Sequence, residues 1–357
     1  MGVEAAMGQP GLVHDVGDAG AVVPAAPDSA RGGPDDPFVR DFFSAWVGPS
    51  SGGSAHMMII RYQSDGERKR PSDGHSIGIT VAPPSFGAEP SPRTTHAHPV
   101  VFIHGLWLHA DSWKPWLELF RAAGYDPIAP GWPGEPATVA ESNAHPERLA
   151  NVGIDDVVAH YAAIIRKLPA KPIVIGHSFG GLVAQKLLGM GVASAAIALD
   201  PAQIRGVLPL PLAQLKSAFP VLANPFNYTK AVPQTPKQFF FGFGNALSEQ
   251  ESNALHAQYH IPAPGKPLFE AAFANVFPNT PAKVNTKAQR GPLLITGGGK
   301  DHTVPEVVSR AAYKLYRKAP SVTEYKVFPD RGHSLTVDSG WKQVASESLS
   351  WLKSKGL

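Results

Sequence analysis

From Met58 onward, short, largely apolar blocks alternate with longer stretches whose apolar positions recur every three to four residues. The blocks predict strands at Met58–Tyr62, Ser76–Ala82, Val100–His104, Asp126–Pro130, Ile173–Gly176, Ala195–Leu199, Leu293–Thr296 and Tyr325–Phe328. The periodic stretches predict helices near Ser112–Ala123, Ile154–Leu168, Gly181–Leu188, Pro305–Lys318 and Gly340–Lys353. Strands that are apolar at consecutive positions are buried on both faces, and helices between successive strands supply the cover. The expected fold is α/β: a mostly parallel eight-stranded sheet with helices on both faces, whose first two strands, lacking a helix between them, form an antiparallel edge.

Two segments break this rhythm. Residues 1–56 are rich in Gly, Ala, Pro and Asp, show no sustained period, and are expected to be a disordered tail with one apolar cluster, Phe38–Trp46. Residues 201–290 are dense in proline and carry eleven aromatics between Phe219 and Phe277. They are expected to form an insertion within a core made of residues 57–200 and 291–357.

Charge and composition narrow the function. Seven acids against two arginines make the first 56 residues −5, so the remainder is +8 although the whole chain is only +3. That excess is spread along the chain rather than clustered, so nucleic-acid binding is not expected. No run of about 18 apolar residues exists, so no integral membrane segment is expected. Cysteine is absent, which excludes disulfides, thiolate catalysis and zinc–thiolate sites. A basic region followed by an apolar one is missing from the N-terminus, and the expected location is cytoplasmic. Oligomeric state is left open.

The candidate chemistry begins at Gly176-His177-Ser178-Phe179-Gly180, directly after an apolar strand and directly before a helix. A strand that turns at once into a helix forces the residue at the turn into a strained conformation and leaves its side chain projecting from the sheet; small neighbours let the chain double back. Ser178 is the candidate nucleophile. Asp301 follows the strand Pro292–Thr296, and His333 follows the strand that ends at Phe328. The order Ser, Asp, His is that of an acyl-transfer triad on an open α/β sheet, whose sites lie at the carboxyl ends of the strands. Asp200 also ends a strand and is the alternative acid. Asp330 is read as a turn former. No H-E-x-x-H or other metal-ligand spacing occurs, and Gly297-Gly298-Gly299-Lys300 lacks the spacing of a phosphate loop, so neither a metal nor a nucleotide cofactor is expected.

With these elements in place, the chain from about residue 58 to its C-terminus resembles the α/β-hydrolase superfamily, in particular serine-nucleophile esterases and lipases with a cap domain. His104-Gly105-Leu106-Trp107 is similar to the family's strand-plus-His-Gly segment. The resemblance implies an oxyanion hole made by the backbone N–H groups of Leu106 and Phe179. It also implies that residues 201–290 are the cap, or lid, with aromatics such as Phe240 and Phe243 facing a small-molecule substrate. The implied activity is cleavage of a carboxylic ester bearing an apolar or aromatic group. Alternatives are C–C bond hydrolysis, cofactor-free haloperoxidase or perhydrolase activity, or a lyase reaction on the same triad. An alternative of another class is a non-catalytic ligand-binding member of the fold.

Overall fold

The computed structural model describes residues 98–357; the tail expected over residues 1–56 and the strands expected at Met58–Tyr62 and Ser76–Ala82 lie outside the described residues. Six strands form one sheet: β1 (Pro99–Ile103), β2 (Asp126–Ile128), β3 (Ile173–His177), β4 (Ala195–Leu199), β7 (Leu293–Gly298) and β8 (Thr323–Phe328). Their spatial order is β2-β1-β3-β4-β7-β8, and every neighbouring pair is parallel.

Alternate residues of the strands feed two separate cores, and this is why the strands read as unbroken apolar runs. Val101, Ile103, Val174 and Ile295 point to one face, covered by α3 (Ile154–Ile165), α4 (Phe179–Gly189) and α9 (Glu306–Leu315). Val100, Phe102, Ile175 and Ile197 point to the other, covered by α1 (Lys114–Ala122) and α10 (Trp341–Ser354). A short helix, α2 (Val139–Ala144), sits in the connection after β2.

β7 runs two residues beyond the expected Thr296, because Gly297 and Gly298 still pair with Val327 and Phe328. A side chain at 298 would come within 2.7 Å of Asp200 Oδ2, so glycine is required by packing there as well as tolerated by the strand.

Between β4 and β7 lie α5 (Leu212–Leu222), α6 (Pro236–Gly242), α7 (Glu249–Tyr259) and α8 (Lys266–Ala272), with β5 (Ala231–Val232) and β6 (Ala263–Pro264) paired antiparallel. None of these elements follows from the apolar rhythm of the sequence. Their starts are set by local chemistry instead: Thr235 and Gln238 cap α6 reciprocally, Pro236 and Pro267 occupy first-turn positions, and Ser248 caps α7.

Candidate active site

β3 ends at His177 and α4 begins at Phe179, so Ser178 alone makes the turn, at φ 56° and ψ −120°. Its amide is fixed to the Leu199 carbonyl at 2.9 Å, and its own carbonyl accepts from Gly181, Leu182 and Ala202. A Cβ at Gly176 would strike the Gly180 carbonyl, and one at Gly180 would strike that of Ile103, so both positions need glycine. Trp107, Ser178 and Asp200 are three of the four non-glycine residues at positive φ among the described residues. Each such residue costs on the order of 1–3 kcal/mol, and their clustering at one end of the sheet marks it as specialised.

Phe179 is the first residue of α4, so its N–H has no intrahelical acceptor. The Leu106 N–H, in the loop after β1, likewise meets no backbone carbonyl of the described residues. Trp107 is held at φ 65° by the segment between β4 and β7: its carbonyl accepts from Ile261 N at 3.1 Å and its indole N–H donates to the Val232 carbonyl at 2.9 Å. His109 N donates to the Tyr259 carbonyl at 3.0 Å, completing the clamp. Gly105 packs so closely that a side chain there would lie 2.7 Å from Ser178 Cβ and 3.3 Å from its Oγ.

Asp301 and His333 lie on the loops after β7 and β8, both buried, with Asp301 Oδ2 2.6 Å from His333 Nδ1. Asp301 Oδ1 accepts from the amides of Thr303 and Val304, each at 2.7 Å, which fixes the carboxylate's orientation toward His333. His333 Nε2 is buried and has no partner among the described residues. The His333 ring is held by His177, 4.6 Å away, and by the edge of Phe243 at 4.7 Å. Burial, and then the neighbouring His333, hold His177 well below the ordinary histidine value, so its Nε2 bonds the His333 carbonyl at 2.9 Å as a neutral donor.

Asp200 joins this cluster. One ligand-type atom from each of Asp200, Asp301 and His333 lies within 4.8 Å of the others. The carboxyl accepts from Thr296 Oγ1 and from Gly298 N, each at 2.9 Å, and it is fully buried. Burial, and then the adjacent Asp301, push Asp200 well above the ordinary carboxylate range; as a neutral acid it donates a hydrogen bond to Asp301. The other candidates fall elsewhere: Asp330 is exposed 3.6 Å from Lys300, and His302 bonds the Phe241 carbonyl.

Glu135 and Thr296 carry no signal in the sequence, and Phe243, expected to face the substrate, packs on His333 instead. Glu135, buried in the turn after β2, lies 2.9 Å from His104 Nε2 and accepts from Ala110 N at 3.0 Å. Burial raises its pKa, but His104 and the Ala110 amide outweigh that and hold it below the ordinary value, so a buried charge braces the loop carrying Leu106. Thr296 and Phe243 act through Asp200 and His333. Nothing local marks any of the three roles, because each matters only through a partner more than 30 residues away.

A cavity of about 740 Å³, counting its open mouth, has Ser178 and Trp107 in its wall. The expectation that aromatics such as Phe240 and Phe243 face it is corrected: Leu210, Leu215, Leu222 and Leu268 line it with Ala218 and Ala271. α5 turns a leucine and alanine face inward, whereas Phe243 is consumed in packing against His333 and Phe239.

Comparison with known proteins agrees with this architecture. A non-heme chloroperoxidase of Burkholderia pyrrocinia is 26% identical over 255 residues, covering 68% of this chain and 88% of that protein. A methylesterase from Arabidopsis superposes with a TM-score of 0.50 at 19% identity, over 72% of this chain and 99% of that one. Tomato methylketone synthase I gives 0.52 at 16% identity, over 73% and 100%. Residues 100–347 match the alpha/beta hydrolase family, and the chain belongs to that family.

Proposed function

We propose that this chain is a serine hydrolase that cleaves carboxylic esters through an acyl-enzyme. The observation that carries the reading is His333, whose Nδ1 is engaged by Asp301 at 2.6 Å while its buried Nε2 has no partner among the described residues; Ser178, for its part, stands in the wall of a cavity. An imidazole so held offers one nitrogen to a substrate-side proton.

In this mechanism His333 Nε2 removes the Ser178 Oγ proton as the oxygen attacks the ester carbonyl. The Leu106 and Phe179 N–H groups stabilise the oxyanion. The C–O bond to the alcohol breaks, and His333 returns the proton to the departing alkoxide. Water, deprotonated by His333, then attacks the acyl group; the acid leaves and Ser178 regains its proton. Asp301 holds the imidazole tautomer. Neutral Asp200 positions Asp301 by donating to it, with its own carboxyl fixed by Thr296 and Gly298. Residues 201–290 act as a lid over the sheet that carries Ser178, Asp301 and His333, and their aliphatic wall suits a medium-sized apolar acyl or aromatic group.

Ser178→Ala tests the assignment: turnover of p-nitrophenyl butyrate should fall by three or more orders of magnitude with the fold intact. A variant keeping a third of wild-type activity would overturn it. The likeness to a chloroperoxidase supports a second reading, in which hydrogen peroxide replaces water or alcohol and a carboxylic acid is converted to a peracid plus water on the same serine. Peroxide-dependent bromination in acetate buffer, lost with the same variant, would select it.

A further inference from the structure

α5 carries apolar side chains on two sides, centred about 120° apart around the helix. At 100° per residue, Gln214, Ala218 and Leu222 fall on the side that lines the cavity, while Leu212, Lys216 and Phe219 fall on the side that faces out. Leu215 sits at the boundary and belongs to both, lining the cavity and remaining exposed. Among the described residues nothing covers the outer stripe: Leu212 is 83% exposed and Phe219 66%. Leu208, at 79%, and Phe226, at 74%, are exposed as well, on the segments that precede and follow α5 in the chain. A monomeric protein rarely leaves so much contiguous apolar side chain in water without a partner.

Charge identifies the partner. Between Asp200 and Glu249 the sequence holds no acid at all, yet it holds Arg205, Lys216, Lys230 and Lys237. Lys216 lies in the apolar stripe itself, and Lys230 closes the 3-10 turn that carries Phe226. A second copy of this chain would set these cations against one another. A stripe of leucine and phenylalanine studded with lysine, on a helix about 16 Å long, suits the boundary between lipid headgroups and acyl chains, where lysine stems run along apolar surface and the ammonium groups meet anionic phosphate. We infer that the outer face of α5, with Leu208 and Phe226, is a docking surface for an anionic lipid bilayer, placed so that Leu215 joins the bilayer side directly to the mouth of the cavity.

The test uses the full chain and does not depend on the proposed chemistry, since it reads binding alone. Cosedimentation would compare sucrose-loaded vesicles of phosphatidylglycerol and phosphatidylcholine, one to three, with vesicles of pure phosphatidylcholine. Binding is expected to the mixed vesicles, weakening as salt rises. Leu212→Asp with Phe219→Asp should abolish it while leaving hydrolysis of a water-soluble short ester unchanged, because neither residue lines the cavity. Lys216→Gln with Lys230→Gln keeps the apolar stripe and serves if the first pair misfolds; each change should weaken binding to the mixed vesicles by about fivefold. Equal binding to both vesicle types, no binding at low salt, or binding untouched by either double variant would overturn the inference. So would a concentration-dependent dimer dissolved by the aspartate pair, which would make the stripe a contact between copies.

Discussion

Asp200→Asn isolates one buried proton. Asp200 lies beside Asp301 with no cation of its own, and burial followed by the Asp301 charge keeps it protonated well above the ordinary carboxylate range. The unfolded chain releases that proton near pH 3.9. Above this the native state binds one proton more than the unfolded state, so the wild type loses about 1.4 kcal/mol of stability per pH unit from this residue until Asp200 itself ionises. A raised carboxylate thus favours the fold at low pH and penalises it as pH rises. Asparagine carries no such proton; its one oxygen can accept from Thr296 or from Gly298 but not from both, and its NH2 takes the place of the other oxygen. The variant's stability relative to wild type should therefore climb by about 1.4 kcal/mol per unit from about pH 5 upward, seen as roughly 2–4 °C of relative midpoint per unit. Urea unfolding followed by tryptophan fluorescence at pH 5, 6 and 7 measures the difference directly, and any constant offset from the substitution cancels in the slope. A difference flat in pH, or one that falls, would refute the neutral-acid assignment.

Activity should separate the same two acids: Asp301→Asn should lower kcat by about 10³–10⁴ through the wrong histidine tautomer, while Asp200→Asn stays within about tenfold, and the reverse ranking would make Asp200 the triad acid. Gly105→Ala puts a methyl 2.7 Å from Ser178 Cβ and should lower kcat by about 10² with little change in unfolding midpoint; an unchanged kcat would mean that the loop yields freely. Butyl to octyl p-nitrophenyl esters should show kcat/KM rising with chain length, by up to about fourfold per buried methylene, and Ala271→Phe, which fills the cavity, should flatten that rise while sparing the acetate. Phe243→Ala removes the buried ring against His333 and should cost about 3–5 kcal/mol in urea unfolding; a loss confined to long-chain esters would instead place Phe243 in the acyl pocket.

Ser178, Asp301 and His333 were named from short, local signals: glycines flanking a serine at a strand end, and an acid and a histidine just past two later strands. Such signals are legible because backbone geometry at a strand-to-helix turn restricts which residues fit. The parallel core was legible for a similar reason, since strands buried on both faces must be apolar throughout. The segment between β4 and β7 was not, because its helices are short, begin at prolines and caps, and bury only parts of their faces.

What the sequence by itself determined is therefore the order of the six strands of the sheet and of the helices that cover its two faces, and the three side chains beyond the strands' carboxyl ends. Only the tertiary structure decided that Asp200 comes within reach of both Asp301 and His333, that Glu135 braces the loop of Leu106 through His104, and that leucines rather than phenylalanines line the cavity. The physical reason is range: strand burial and turn strain are fixed by neighbours along the chain, whereas two acids brought together, a buried carboxylate beside a histidine and a cavity wall depend on distances between residues that only the packed fold sets.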